Sequence, residues 1–153
     1  MKKYSLLILS ILLLAFCTSC VNVVPPVTTF KRYEVAKINL VSADFNFIFD
    51  IKNPNDIPLN VKDIEYTFKL EGTHVLGGKS KGFELHAKET KEILIPIRIS
   101  YLGALESVTM LVKKLIIGNK KLKYKLEGYL VIESLGATAK TPLYAAGELT
   151  LIN

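Results

Sequence analysis

Regular alternation of apolar and polar residues runs through most of this chain and restricts it to β structure. In residues 43–51 the apolar positions, apart from Ile48, are all odd-numbered and include three phenylalanines. The same pattern recurs in three further segments, residues 63–71, 93–101 and 121–133. Successive side chains of a strand point to opposite faces, so this alternation predicts strands with one buried and one hydrated face. Such strands are typical of antiparallel sheets.

One segment, residues 102–117, has the periodicity of a helix instead. Its apolar residues recur three and four positions apart, at Leu105, Val108, Val112 and Leu115. Two lysines near its C-terminal end suit the helix dipole, and Gly118-Asn119 supplies a stop signal.

Weaker strand patterns complete the expected order of five strands, one helix and two strands. They cover residues 33–40, 74–79 and 143–152, and Gly77-Gly78 is the expected site of a tight turn. The sequence therefore predicts a mainly β domain over residues 30–153. Its expected fold is an antiparallel two-sheet β-sandwich of the immunoglobulin or fibronectin III type, with about seven strands and one α-helix.

The first residues have the composition of an export signal. Lys2 and Lys3 precede a mostly apolar run over residues 6–16, and small residues follow it. The run is shorter than the ~20 apolar residues that a membrane-spanning helix needs. We therefore expect a cleaved signal peptide over residues 1–19 and a mature protein outside the cytoplasm.

The two cysteines of the chain, Cys17 and Cys20, both lie at the end of this signal. The region resembles a bacterial lipoprotein signal, in which cleavage before a cysteine leaves that residue acylated. Cys20 fits best because Thr18 and Ser19 before it are small, whereas bulky Phe16 precedes the alternative, Cys17. An ordinary signal peptide with a stray cysteine is the other interpretation. Lipidation would place the protein in the cell envelope, on the periplasmic face or at the outer membrane.

Residues 20–29 are expected to form the lipidated N-terminus and a tether. Pro25-Pro26 cannot join a helix and favours extended backbone. Partnership with a membrane would then come through the lipid, because acyl chains attach a protein without any transmembrane helix.

The stretch from Phe47 to Gly72 resembles the WHy (water stress and hypersensitive response) domain of the folded late embryogenesis abundant proteins. Its features are an aromatic strand, the turn Asn53-Pro54-Asn55, the pair Pro58-Leu59 and a strand ending in glycine. The resemblance extends over roughly residues 35–152. Pro54 ends a strand and the asparagines suit turns, so we expect these motif residues to be structural rather than ligand-binding.

The resemblance implies a non-enzymatic stress protein that protects proteins or membranes during desiccation through weak contacts with clients. The surface or the open strand edges of the sandwich could make such contacts. The alternative is a specific protein-binding adaptor or surface adhesin that uses the loops near residues 53–60 and 72–82.

The sequence contains no recognisable catalytic or cofactor-binding motif. His74 and His86 lack a third ligand at a recognisable spacing for zinc, and lysines interleave Glu89 and Glu92. We therefore expect no catalytic residues, no metal, no cofactor and no small-molecule substrate. The formal charge of +6 falls to +4 once Lys2 and Lys3 are removed, which does not indicate nucleic-acid binding.

Six lysines cluster around the C-terminus of the predicted helix and allow two interpretations. They are Lys113, Lys114, Lys120, Lys121, Lys123 and Lys125. They form either the ordinary hydrated face of a helix end and strand, which the alternation favours, or a contact for anionic lipid headgroups.

Overall fold

The computed structural model describes residues 23–39, 41–101, 106–117, 121–134 and 136–150. Within these ranges it contains seven strands and one helix in the predicted order. They are β1 (Val27–Ile38), β2 (Ser42–Lys52), β3 (Leu59–Leu70), β4 (Thr73–Leu85), β5 (Thr90–Ser100), α1 (Glu106–Ile116), β6 (Leu122–Ser134) and β7 (Ala137–Leu149).

The strands form two antiparallel sheets packed face to face. One sheet has three strands in the order β1-β2-β5, and the other has four in the order β4-β3-β6-β7. Each neighbouring pair is antiparallel. The prediction of a two-sheet antiparallel sandwich with one helix is confirmed.

The alternating apolar positions meet between the two sheets. Phe45, Phe47 and Phe49 of β2 are fully buried. The ring of Phe47 lies 5.5 Å from that of Phe68 and 5.1 Å from that of Tyr124, both from the four-stranded sheet. Burial of each such side chain contributes about 1.5–3 kcal/mol, so this aromatic layer helps to hold the two sheets together alongside the aliphatic residues of the same core.

Helix α1, which lies between β5 and β6 in the chain, covers one end of the sandwich. Its stripe of Val108, Val112 and Leu115 is buried in the same core, as the spacing predicts. Met110 on the opposite side is exposed. None of the helices among the described residues has the length and apolar content that crossing a membrane requires.

The predicted tight turn at Gly77-Gly78 is wrong. These glycines lie within β4, paired with Thr67 and Tyr66 of β3. The turn between the two strands is formed instead by Glu71 and Gly72, which have φ values of 46° and 76°. Positive φ at both central residues is the geometry of the two-residue turn that suits the twist of a hairpin.

Residues 23–29, which the sequence suggests as part of a tether, lie against the domain. Strand β1 begins at Val27, which pairs with Lys52, and Pro26 is buried. The Phe30 ring packs 5.3 Å from that of Phe49 and draws this stretch onto the sheet. The domain therefore begins before residue 30.

The sandwich has two distinct ends, which we call the entry end and the helix end. The entry end holds the lead-in residues Val23–Pro26, the turn between β2 and β3, and the turn between β4 and β5. The helix end holds α1, the β1–β2 turn and the β3–β4 turn. The strands have 11 to 13 residues and rise ~3.3 Å per residue, so the ends lie roughly 35–40 Å apart.

Candidate functional site

Asn53 is completely buried at the entry end and connects two turns. Its side-chain amide donates to three carbonyl oxygens, those of Ile57 (2.8 Å), Leu85 (3.2 Å) and His86 (2.9 Å). Its backbone N–H donates to the carbonyl of Glu89 at 2.8 Å. Asn53 therefore joins the β2–β3 turn to the β4–β5 turn.

Asn55 extends this network to the lead-in segment. The backbone N–H of Val24 donates to Asn55 Oδ1 at 2.8 Å, and Asn55 Nδ2 donates back to the Val24 carbonyl at 2.7 Å. This reciprocal pair imitates the backbone pairing of a sheet. We call it the Asn55 latch, and it fixes where the chain enters the domain.

Lys88 closes the network from the β4–β5 turn. Its Nζ donates to the Pro54 carbonyl at 2.8 Å and lies 3.1 Å from the Asp56 carboxylate. Pro58 is exposed beside this network, and Leu59 is buried at the start of β3. The five motif residues predicted from the sequence thus come together in one turn, where Asn53 and Asn55 are used in internal hydrogen bonds.

The two histidines lie at opposite ends of β4 and are both exposed. His86 Nδ1 is 3.7 Å from Glu84, and His74 pairs with Lys69 of β3. Within the described ranges, no three residues among His, Cys, Asp and Glu are grouped closely enough to hold a metal ion.

The outer face of the four-stranded sheet carries a charge pattern that the sequence alone did not show. Glu65 lies 2.6 Å from Lys79 and 3.5 Å from Lys140, on strands to either side of it. The hydrogen bond from Lys79 is the main cause that lowers the pKa of Glu65. It also raises the pKa of Lys79.

Glu127, one row further along the sheet, is also held by two lysines, one on its own strand β6 and one on β3. It lies 2.6 Å from Lys125 and 3.2 Å from Lys69, and these hydrogen bonds lower its pKa. A shallow concavity of about 610 Å³ lies between the two rows and includes Tyr129 in its lining. We call the set Glu65, Lys69, Lys79, Glu127, Lys125, Tyr129 and Lys140 the lysine face.

Two lysines of the lysine face lie over half-exposed tyrosine rings, those of Tyr129 within the face and Tyr144 beside it. Lys140 Nζ lies 5.7 Å from the ring centre of Tyr129, and Lys125 Nζ lies 5.7 Å from that of Tyr144. These are cation–π distances, and both rings remain half exposed. The face can thus offer ammonium groups and aromatic surface to a partner at the same time.

Every edge strand of the two sheets is interrupted. β1 has register shifts next to Lys31 and Ala36, and β4 has one next to Val75. The edge strands β5 and β7 contain Pro96 and Pro142, which lack an N–H. Such features discourage another strand from pairing with an edge.

At both of these prolines, a hydroxyl group from the other sheet forms a hydrogen bond with the proline carbonyl. Thr28 Oγ1 donates to the Pro142 carbonyl at 3.0 Å, and Tyr66 Oη makes a longer bond of 3.4 Å to the Pro96 carbonyl. One carbonyl oxygen on each of these two edge strands is therefore already used in a hydrogen bond within the domain.

The lysine cluster predicted around the helix is divided by the fold. Lys113 and Lys114 lie on α1, whereas Lys123 and Lys125 point outward from β6. All of them lie toward the helix end, away from the lead-in residues. Lys120, together with Cys17 and Cys20, lies outside the described residues.

Comparison with known proteins places the chain in a family. The family model described as late embryogenesis abundant protein matches residues 49–144. No curated protein matches the chain.

Solved structures share the fold at low sequence identity. A solution structure of a late embryogenesis abundant protein has a TM-score of 0.68 and 19% identity, and the match covers 98% of this chain and 86% of that one. A solution structure from Arabidopsis thaliana has a TM-score of 0.64 and 20% identity, over 88% of this chain and 87% of that one. A crystal structure from Archaeoglobus fulgidus has a TM-score of 0.59 and 13% identity, over 80% of this chain and 97% of that one.

Proposed function

This chain belongs to the late embryogenesis abundant family, and on that premise we propose that it is a non-enzymatic protectant of proteins or membranes during desiccation or related stress. We propose further that it acts in a bacterial cell envelope, held there by lipid on Cys20. The family match over residues 49–144 is the observation that carries the protective role. The signal-like segment ending at Cys20 supports the location.

The lysine face suits weak, reversible contact with a client. Its lysines are already paired with Glu65 and Glu127, and ion pairs between exposed side chains contribute little to stability because water and salt screen them. A client carboxylate can therefore replace one of these partners at little cost. The exchange is easily reversed when water returns, as a protectant requires.

Contact through this face is favoured over contact through strand edges. The sequence left both possibilities open, but each edge strand carries a register shift or a proline. An unfolded client that tried to extend a sheet would meet missing donors and bent backbone. The flat lysine face presents no such obstacle.

A specific-partner role remains the second candidate, and one observation favours it. A concavity of about 610 Å³ at the entry end is lined by Ile57, Pro58, Leu59, Asn60, Glu84, Glu133 and Ser134. It adjoins the loop near residues 53–60, one of the two that the sequence suggested for an adaptor or adhesin; residues 72–82, the other, are mostly strand β4 and not a loop. Capture of one stoichiometric partner, lost when this concavity is altered, would favour that function.

The protective role can be tested with the domain itself. Residues 20–153 are dried, or frozen and thawed, with a labile enzyme, and albumin at equal mass serves as the reference. Survival of enzyme activity clearly above the albumin level at substoichiometric amounts is expected. Survival no better than with albumin would exclude general protein protection and leave membrane protection or the specific partner.

A further inference from the structure

We propose that, in the anchored protein, the entry end of the sandwich lies against the lipid surface and helix α1 points away from it. This inference rests on the proposed anchoring at Cys20 and adds the surface through which the domain meets the membrane. The surface consists of Val24, Pro25, Pro58, Ala87 and the Lys88–Asp56 ion pair.

The lead-in residues are fixed to the domain at the entry end. Val24 is held to Asn55 by two hydrogen bonds of 2.8 and 2.7 Å, and Pro26 is buried immediately after it. The lead-in therefore leaves the domain at the entry end.

The connection between the proposed anchor and the domain is short. Cys20 precedes Val23 by three residues, which span at most roughly 10 Å when fully extended. The sandwich is roughly 35–40 Å long, because its strands rise ~3.3 Å per residue. A lipid on Cys20 can therefore reach a bilayer beside the entry end. The helix end could contact the same bilayer only if the sandwich lay on its side, which would press the charged outer face of a sheet, with pairs such as Glu65–Lys79 or Asp44–Arg98, against the lipid.

The composition of the entry end is compatible with this contact. Val24 is 50% exposed, and Pro25, Pro58 and Ala87 are also exposed. The charges of Lys88 and Asp56 are paired at 3.1 Å, so an ion pair rather than a single charge meets the headgroups. The helix end exposes apolar side chains as well, including Met110 and Ile117, so the connection to Cys20 decides which end faces the lipid.

One consequence concerns the lysines of α1. Lys113 and Lys114 lie on the end that points away from the anchoring membrane. They are therefore directed toward the envelope space and are not contacts for the headgroups of that membrane.

Tryptophan reporters can test the orientation, because the chain contains no tryptophan. Residues 20–153 retain Cys20 as their sole cysteine, so this thiol can be coupled to vesicles containing a maleimide headgroup lipid. Ala87→Trp marks the entry end and Met110→Trp marks the helix end. Both positions are exposed, and unchanged circular dichroism would show that the fold is retained.

Quenching by phospholipids brominated near the headgroup is the measurement. We expect about fivefold stronger quenching of the Ala87→Trp variant, because the two sites lie at ends roughly 35–40 Å apart. Equal quenching at the two sites, or stronger quenching at Met110→Trp, would overturn the proposal. A blue shift at Ala87→Trp without lipid quenching would mean that another copy of the protein covers this end, which also contradicts it.

A lengthened connection provides the matched control. A flexible Gly-Ser insert of about 20 residues before Val23 should bring the two quenching values close together, since the connection can then extend beyond the ~35–40 Å length of the sandwich. An unchanged ratio would show that the short connection does not set the orientation. Because the anchor is attached chemically, this result is independent of whether cells lipidate Cys20.

Discussion

Asn53 Oδ1 accepts two hydrogen bonds from a single residue, Asn55, whose backbone N–H and side-chain Nδ2 both lie at 2.9 Å. The Nδ2 of Asn55 then also donates to the Val24 carbonyl. The carbonyl of one asparagine thus orients the other toward the lead-in segment. A turn built in this way fixes both the local loops and the point at which the chain enters the domain.

Replacing Asn53 should be strongly destabilising. Asn53→Ala leaves three carbonyl oxygens and the amide of Asn55 without their partner, and we expect a loss of about 3 kcal/mol or more because these groups are buried or partly buried. Urea unfolding measures the change. Asn60→Ala, at an exposed strand position, is the control and should remain within about 0.5 kcal/mol of the parent. Equal effects of the two substitutions would contradict the scaffold role.

Gly82 should tolerate no side chain. A Cβ at this position would overlap the backbone carbonyl oxygens of Val61 and Lys62, where β3 shifts register against β6. Gly82→Ala is expected to cost about 2–3 kcal/mol or to prevent folding, because backbone rather than a mobile side chain blocks the space. Gly77→Ala in the same strand is the control, since the nearest atom there lies 3.4 Å away. Thermal unfolding of both variants would decide the point, and a small loss for Gly82→Ala would refute it.

Tyr124 should make the domain sensitive to alkaline pH. Burial is the main cause that raises the pKa of its hydroxyl to about 12, above the value of about 10 in the unfolded chain. Its contribution is therefore fully present below pH ~10 and is lost as pH rises through ~12, by up to about 2–3 kcal/mol.

Tyr124→Phe should reduce this alkaline decline while keeping the ring packed on Phe47, and Tyr66 and Tyr101, whose pKa values burial also raises, account for the remainder. Tyr129→Phe, at an exposed ring, is the matched control and should leave the decline in place. The free energy of unfolding between pH ~9 and ~12 is the measurement. A decline of unchanged size in Tyr124→Phe would assign the alkaline sensitivity to groups other than Tyr124.

Neutralising the lysine face should abolish protection without unfolding the domain. The test variant replaces Lys69, Lys79, Lys125 and Lys140 by Gln. The control variant makes the same change at four exposed lysines elsewhere, Lys52, Lys62, Lys113 and Lys114. Both lose the same charge, so only a role of the face itself separates them. Enzyme survival after drying should fall to the albumin level in the first variant alone, and parallel behaviour of the two would argue against the face.

Lipid attachment should depend on Cys20. Cys20→Ser removes the predicted acceptor, so incorporation of labelled fatty acid into the protein should be lost together with stable membrane binding, to which each buried CH₂ contributes about 0.8 kcal/mol. Cys17→Ser is the matched control and should retain the label. Loss of label in Cys17→Ser alone would show that Cys17, not Cys20, carries the lipid. Absence of label from the parent and from both variants would exclude lipid anchoring.

Much of the fold could be predicted from residue patterns because burial here follows strand alternation. The phenylalanines of β2 and the stripe on α1 identify their buried faces directly. The β3–β4 turn could not be located in this way. It uses Glu71 with positive φ, a conformation that glutamate rarely adopts, whereas the more obvious Gly77-Gly78 pair lies within a strand.

The site residues were less accessible to sequence reasoning because their partners depend on register. The motif around Asn53 could be located, but its bonds to Leu85 and His86 connect residues 32 and 33 positions apart. The lysine face joins four strands, and alternation shows only that each lysine points outward. The Asn55 latch was missed because Val24 precedes the first strand and lies in a segment whose prolines suggest a free linker.

The interrupted edges also bear on what happens to this protein itself when water is removed. Drying concentrates every solute, and a sandwich with long, regular edges would then polymerise into cross-β fibres by stacking copies edge to edge. Register shifts in β1 and β4 and prolines in β5 and β7 break the regular row of backbone hydrogen-bonding groups on all four edge strands. We therefore expect the protein to remain unpolymerised when it is concentrated by drying and to redissolve as separate molecules when water is added.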